Sequence, residues 1–300
     1  MERQPPLGYS DHRSGRETGR ILYPVFSRRA GGLSLGVNLF PDAKRCSFDC
    51  PYCEVFPFEG TRPFKVADLV SALDAFAEDW TDELGPVRDI SLSGNGEPSL
   101  SPFLEPVLEA CALARRAHPL ALGGAKLVII TNSTGFTRPA VCGILDRYVR
   151  EEGLEVWAKL DAGGEARFRA MSGTNLDFAA IVAGIRAFAA RTPLVIQTML
   201  CELDGEAPTT DDLDDYARLL SGILADGGRI TQIHLYTQAR PAPAGRTGAL
   251  DNASLLAAAG RIVAALRPAA PELVLRVFGQ TGELAPPGGD TPMRYKGGTS

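Results

Sequence analysis

Cys46, Cys50 and Cys53 fall within eight residues, in the run Lys44-Arg45-Cys46-Ser47-Phe48-Asp49-Cys50-Pro51-Tyr52-Cys53, with the spacing C-x3-C-x2-C. Three thiolates are one ligand short of a closed metal site. Structural zinc takes four protein ligands, and a fully ligated [4Fe-4S] cluster takes four cysteines. A cubane held by three cysteines leaves one iron open to a substrate or cofactor. The competing reading is of packing cysteines, or of a zinc knuckle with a distant fourth ligand. No histidine stands near, because His12, His118 and His234 are all remote in sequence.

A second constellation, Gly94-Asn95-Gly96-Glu97-Pro98, follows the apolar run Ile90-Ser91-Leu92. Its glycines permit close backbone approach and positive φ, and such an edge can offer bare carbonyls to an ammonium group. Alone, it is also explained as a plain strand-to-helix turn. Thr131-Asn132-Ser133 offers hydroxyl and amide groups, either to a ribose or carboxylate or as a turn and helix cap. Lys159 and Asp161 flank Leu160, so strand alternation points both to one face. Gln197 and Thr198 point to opposite faces, so at most one reaches an interior. Arg240-Pro241 can place a guanidinium over a carboxylate or phosphate.

These groups need elements to hold them. Apolar or β-branched runs predict strands at Ser34–Leu39, Asp89–Ser93, Lys126–Thr131, Glu155–Leu160, Leu194–Leu200 and Gln232–Tyr236, with a last strand near 273–278. Helical periodicity predicts helices near 65–80, 101–117, 137–150, 177–191, 211–226 and 253–267. Strict alternation implies right-handed crossovers and a parallel α/β sheet, either doubly wound or closed toward a barrel. Such folds place their chemistry at the C-terminal ends of strands, where the cysteine loop and the glycine run both fall. Residues 1–33 read as a basic arm, with six arginines against three acids, residues 34–280 as the barrel domain, and 281–300 as a disordered tail.

The cysteine spacing, with an aromatic residue (Tyr52) before the last cysteine, resembles the cluster loop of radical S-adenosylmethionine (SAM) enzymes. Gly94–Pro98 is similar to the segment that binds the SAM amino group in that superfamily. The resemblance implies a partial (β/α)6 barrel and a [4Fe-4S] cluster on Cys46, Cys50 and Cys53. It further implies reductive cleavage of SAM to a 5'-deoxyadenosyl radical that abstracts hydrogen from a substrate. SAM would be held by Gly94, Asn95, Gly96 and Glu97 at its methionyl end, by Tyr52 at adenine, and by Asn132 and Lys159. An electron donor such as flavodoxin or ferredoxin is implied as partner. Within the superfamily, Ser27–Leu39, Asn95–Pro98 and Arg240-Pro241 look similar to the group containing the tRNA wyosine-synthesis enzymes. Those enzymes carry a second cluster on upstream cysteines, and this chain has none before Cys46.

Composition bounds the alternatives. The 300 residues, 45% hydrophobic and 22% charged, suit one large α/β unit. A net charge of −5 argues against a constitutive nucleic-acid binder. No apolar run approaches the ~20 residues of a membrane span, and the expected location is cytoplasmic. Cys111, Cys142 and Cys201 are scattered and read as core residues rather than as a further cluster. Two other classes share the cysteine loop: an iron-sulfur electron carrier or sensor without SAM turnover, and a zinc-stabilised RNA-binding protein. Neither needs an amino-acid site such as Gly94–Pro98.

Overall fold

The computed structural model describes residues 19–55 and 57–285, so the sequence readings for 1–18 and 286–300 lie outside the described residues. The chain divides into two compact units, the first made of the residues up to Ser47, Glu54–Thr131 and Ala140–Val156, the second of Phe48–Cys53, Asn132–Pro139 and Trp157 onward.

In the first unit, β1 (Leu22–Ser27) and β2 (Gly32–Val37) form an antiparallel hairpin with Tyr23 opposite Gly36. Residues 22–33, expected as part of an arm, therefore belong to the sheet. The helix α1 (Val66–Asp79) leads to β3 (Val87–Leu92), α2 (Leu104–Ala117), β4 (Lys126–Thr131) and α3 (Pro139–Glu152). β2, β3 and β4 run parallel, in that order. Helices cover them, so the strands read as continuous apolar runs, and Leu35, Val37, Ile90, Leu92, Leu127 and Ile129 are fully buried.

The second unit continues the alternation. β5 (Glu155–Lys159) is followed by α4 (Glu165–Ser172), α5 (Phe178–Ala189), β6 (Leu194–Met199), β7 (Cys201–Leu203) and α6 (Thr210–Ala225). Then come β8 (Ile230–Tyr236), β9 (Thr247–Ala249), α7 (Asn252–Leu266), β10 (Val274–Phe278) and β11 (Glu283–Leu284). β5, β6, β8 and β10 are parallel neighbours in that order, and β11 closes antiparallel on β10. The starts of these helices are written in side chains: Asp177 caps α5, Asp251 caps α7, and Thr209 with Asp212 makes a reciprocal capping box on α6. Every predicted strand and helix is present. β7 and β9 form a separate antiparallel ladder.

One buried charge sits away from the strand ends that carry chemistry. Asp89, near the start of β3, is buried and accepts a short hydrogen bond from Ser34 Oγ. Burial pushes its carboxyl up from 3.8 to about 6, against the opposing pull of the Ser34 hydrogen bond and Arg29. An acid whose pKa rises on folding stabilises the fold below its unfolded pKa and loses that contribution as pH climbs through the folded value. Asp89→Asn keeps an acceptor for Ser34 and removes the buried charge. Its stability advantage should therefore be widest at pH 7–8, about 3 kcal/mol, and vanish below pH ~4. Urea titrations across pH measure it; a gap independent of pH would place the cost elsewhere.

Candidate active site

In the first unit, the chain leaving β2 is laced to the chain leaving β3. Arg45 N donates to Asn95 O at 3.0 Å, and Glu97 N donates to Arg45 O at 2.8 Å, making an isolated parallel bridge between Arg45 and Gly96. Asn95 N donates to Asn38 Oδ1 at 3.1 Å, and Asn95 Nδ2 donates to Phe40 O at 3.0 Å. Both glycines are required by this approach. Gly94 adopts φ 146° with its α-carbon face against Asn38, and a Cβ on Gly96 would stand 1.9 Å from Arg45 O. The glycine run is thereby fixed against the residue that precedes Cys46, whose own side chain is exposed.

Glu97 is buried at 2% exposure. Its Oε1 accepts from Ser99 N at 3.0 Å, capping the short 3-10 turn Pro98–Leu100, and from Thr131 Oγ1 at 2.6 Å at the end of β4. The carboxylate thus pins the glycine run to the neighbouring strand end.

In the second unit, Phe48–Cys53 carries the other two thiols on a turn in which Cys53 N donates to Cys50 O at 2.9 Å. Tyr52 is buried, and its hydroxyl donates a short hydrogen bond to Asp161 Oδ2 while accepting from Lys159 Nζ at 2.7 Å. The Lys159 ammonium also lies 4.3 Å from the centre of the Tyr52 ring and 3.6 Å from Asp161 Oδ2. Asp161 Oδ1 accepts from Met199 N at 2.8 Å, so one carboxylate joins the ends of β5 and β6 to the cysteine turn. Burial pushes Tyr52 up, with the Asp161 carboxylate adding to it. Burial likewise pushes the Cys50 thiol up to about 12, with Lys159 pulling the other way. Asn132 Oδ1 accepts from Thr134 N at 3.1 Å and Thr134 Oγ1 at 2.7 Å, the turn-forming role its sequence allows. Asn132, Lys159 and Asp161 nevertheless line one small cavity together with Phe48, Phe168 and Met171.

Lys159 and Asp161 share a face as alternation requires. Gln197 and Thr198 are both fully buried because β6 is covered on both faces, and Thr198 Oγ1 donates to Leu160 O at 2.9 Å. Arg240 is half-buried beyond β8. Cys111, Cys142 and Cys201 are buried and free of disulfides. Sequence reading missed the wall of Met171, Met199, Cys201, Tyr236 and Phe278 that packs with Tyr52 and against Cys50. Its members lie on α4, β6, β7, β8 and β10, with no shared local pattern to announce them.

Among the described residues, no three His, Cys, Asp or Glu side chains form a finished metal shell. The donor set still suits a three-cysteine cluster. All three thiols of the loop are unoxidised and at least partly accessible, and a metal gathers ligands that are not assembled in its absence.

No family model matches the chain. The UPF0026 protein of Synechocystis sp. is 30% identical over 237 residues, 74% of this chain and 77% of that protein. The UPF0026 proteins of two Helicobacter pylori strains are 34% identical over 125 residues, 40% of this chain, and the match spans 37% of their own length. Among solved structures, a radical SAM methyltransferase from Sphaerobacter thermophilus matches with a TM-score of 0.57 at 17% identity, covering 86% of this chain and 69% of that one. A spore photoproduct lyase variant matches with a TM-score of 0.54 at 11% identity, covering 89% and 84%. The fold is therefore the partial α/β barrel shared with these two structures, the one that the family resemblance implies and that strand-helix alternation alone leaves open against a doubly wound sheet.

Proposed function

This chain belongs to the UPF0026 family, and from that premise we propose that it is a radical SAM enzyme. The observation that carries the reading is the bridge between Arg45 and Gly96. It ties the start of a three-thiol C-x3-C-x2-C loop to a Gly-Asn-Gly-Glu-Pro run at the next strand end. Neither an electron carrier nor a zinc knuckle has a use for that second segment.

Cys46, Cys50 and Cys53 would hold a [4Fe-4S] cluster, and Gly94–Gly96 would receive the methionyl end of SAM. With both bound, the cofactors supply one-electron reductive cleavage of the sulfonium and a 5'-deoxyadenosyl radical able to abstract hydrogen from a substrate. The chain's own residues bind and orient. Glu97 holds the glycine run through Ser99 and Thr131, Tyr52 would serve adenine, and Asn132 and Lys159 line one small cavity of the second unit. The wall of Met171, Met199, Cys201, Tyr236 and Phe278 packs against Cys50 and covers part of it.

A flavodoxin or ferredoxin is the electron donor this chemistry calls for. Six cysteines without a disulfide suit a reducing compartment, the cytoplasm, and no helix among the described residues is long and apolar enough to cross a membrane. The substrate stays unidentified: tRNA, to which the likeness of Ser27–Leu39, Asn95–Pro98 and Arg240-Pro241 to the wyosine-synthesis group points, has against it the lack of any cysteine before Cys46 and the net charge of −5.

The test is anaerobic reconstitution with iron and sulfide, followed by SAM and a strong reductant, with 5'-deoxyadenosine quantified beside Cys50→Ala. Wild type should form the nucleoside, and the variant should lose both iron and nucleoside while keeping its melting temperature. A variant with full iron content would remove Cys50 from the ligand set. A loaded wild-type cluster that neither binds nor cleaves SAM would turn the reading to an electron carrier.

A further inference from the structure

The segment Phe48–Cys53 is docked along its length. Asp49 N donates to Ser172 O at 2.8 Å, and the Phe48 ring meets Phe168 edge-on at 5.6 Å. The buried Tyr52 hydroxyl attaches the segment to charged partners. It is held from both sides, donating to Asp161 and accepting from Lys159 at 2.7 Å, and Asp161 is itself fixed by Met199 N at 2.8 Å. A hydrophobic contact surface for the ring would need none of this. Phenylalanine would pack equally well, and burying a lysine and an aspartate around a phenol costs free energy unless their geometry is used.

We propose that Lys159 and Asp161 are positioning residues that clamp the Tyr52 hydroxyl and so hold Cys50 and Cys53 in place before any metal arrives. This rests on the reading of those thiols as cluster ligands, but the clamp can be tested without a cluster. Hydrogen bonds to charged groups are stronger than neutral ones, and local opening of a docked segment is governed by the bonds that tether it. Losing the clamp should let the turn open about tenfold more often, the factor that a single such bond commands.

The experiment compares Tyr52→Phe, which keeps the ring and loses the hydroxyl, with Tyr52→Leu, which loses both. Metal-free protein is labelled with iodoacetamide, and the rates at each cysteine are read by mass spectrometry. Cys111, fully buried on α2, reports unfolding of the first unit, and Cys201, fully buried on β7, that of the second. In Tyr52→Phe, Cys50 and Cys53 should label about tenfold faster with Cys111 and Cys201 unchanged, and Tyr52→Leu should add little more. Unchanged rates at Cys50 and Cys53 in Tyr52→Phe, with a rise only in Tyr52→Leu, would show that the ring packs and the hydroxyl does not clamp. A parallel rise at Cys201 or Cys111 would show general destabilisation and overturn the proposal equally. On reconstituted protein, Tyr52→Phe should lose iron to a chelator several-fold faster than wild type. If wild type takes up no cluster at all, the enzyme reading fails, while the labelling rates still decide the clamp.

Discussion

Gly96→Ala should be the most damaging single methyl group that can be added to this site. The new Cβ would stand 1.9 Å from Arg45 O, 2.6 Å from Arg45 C and 3.0 Å from Arg45 N, all backbone atoms. Arg45 cannot retreat without cost, because its N–H is bonded to Asn95 O and its carbonyl to Glu97 N. Breaking both bonds costs about 1–3 kcal/mol each where the groups stay buried. The expected loss is therefore about 3 kcal/mol or more, enough to lower the melting temperature by roughly 5–10 °C in a chain of this size. Gly124→Ala is the control. A Cβ there meets nothing within 4 Å, and its effect should lie within ~0.5 kcal/mol of wild type. Urea denaturation of both variants checks the pair. Equal behaviour would mean that the Arg45 backbone yields freely, and with it the argument that the glycine run is fixed to the start of the cysteine loop.

The second large effect concerns charge. Lys159→Met should destabilise the protein by about 3 kcal/mol, because it leaves Asp161 without its cation in a site where the two side chains are 17% and 10% exposed. Adding Asp161→Asn to the same chain should recover at least half of that loss, since the amide Oδ1 still accepts from Met199 N while Nδ2 donates to the Tyr52 oxygen that Lys159 has left, and no charge is buried. A double-mutant cycle in urea measures the coupling. Strict additivity would show that Lys159 and Asp161 do not sense each other, contrary to their 3.6 Å separation.

How much of this was legible beforehand depends on distance along the chain. The barrel strands and crossover helices announce themselves by local period, and the glycine run and cysteine loop by spacing. The hairpin strand β1 does not, because Pro24 interrupts it and its burial follows no alternation, both compatible with an edge position. The helix α4 is eight residues long and strongly charged, too short to show a stripe. Within the site, alternation suffices to put Lys159 and Asp161 on one face. That they close on Tyr52, more than a hundred residues earlier, is a tertiary fact with no local signature. Glu97 shows the reverse. Its type and place suggest a ligand, whereas its Oε1 is engaged by Ser99 and Thr131, partners that only the folded chain supplies.

The terminal strands of the two units bear on how the chain avoids pairing with a second copy. A parallel sheet is slow to assemble, and an unpaired strand edge invites pairing with a second copy. Among the described residues, the last strand of the first unit is β1, where Pro24 has no N–H to offer a newcomer, and that of the second unit is β11, only two residues long. Both are poor templates for intermolecular pairing. Edge-to-edge aggregation through these two strands should accordingly be slow.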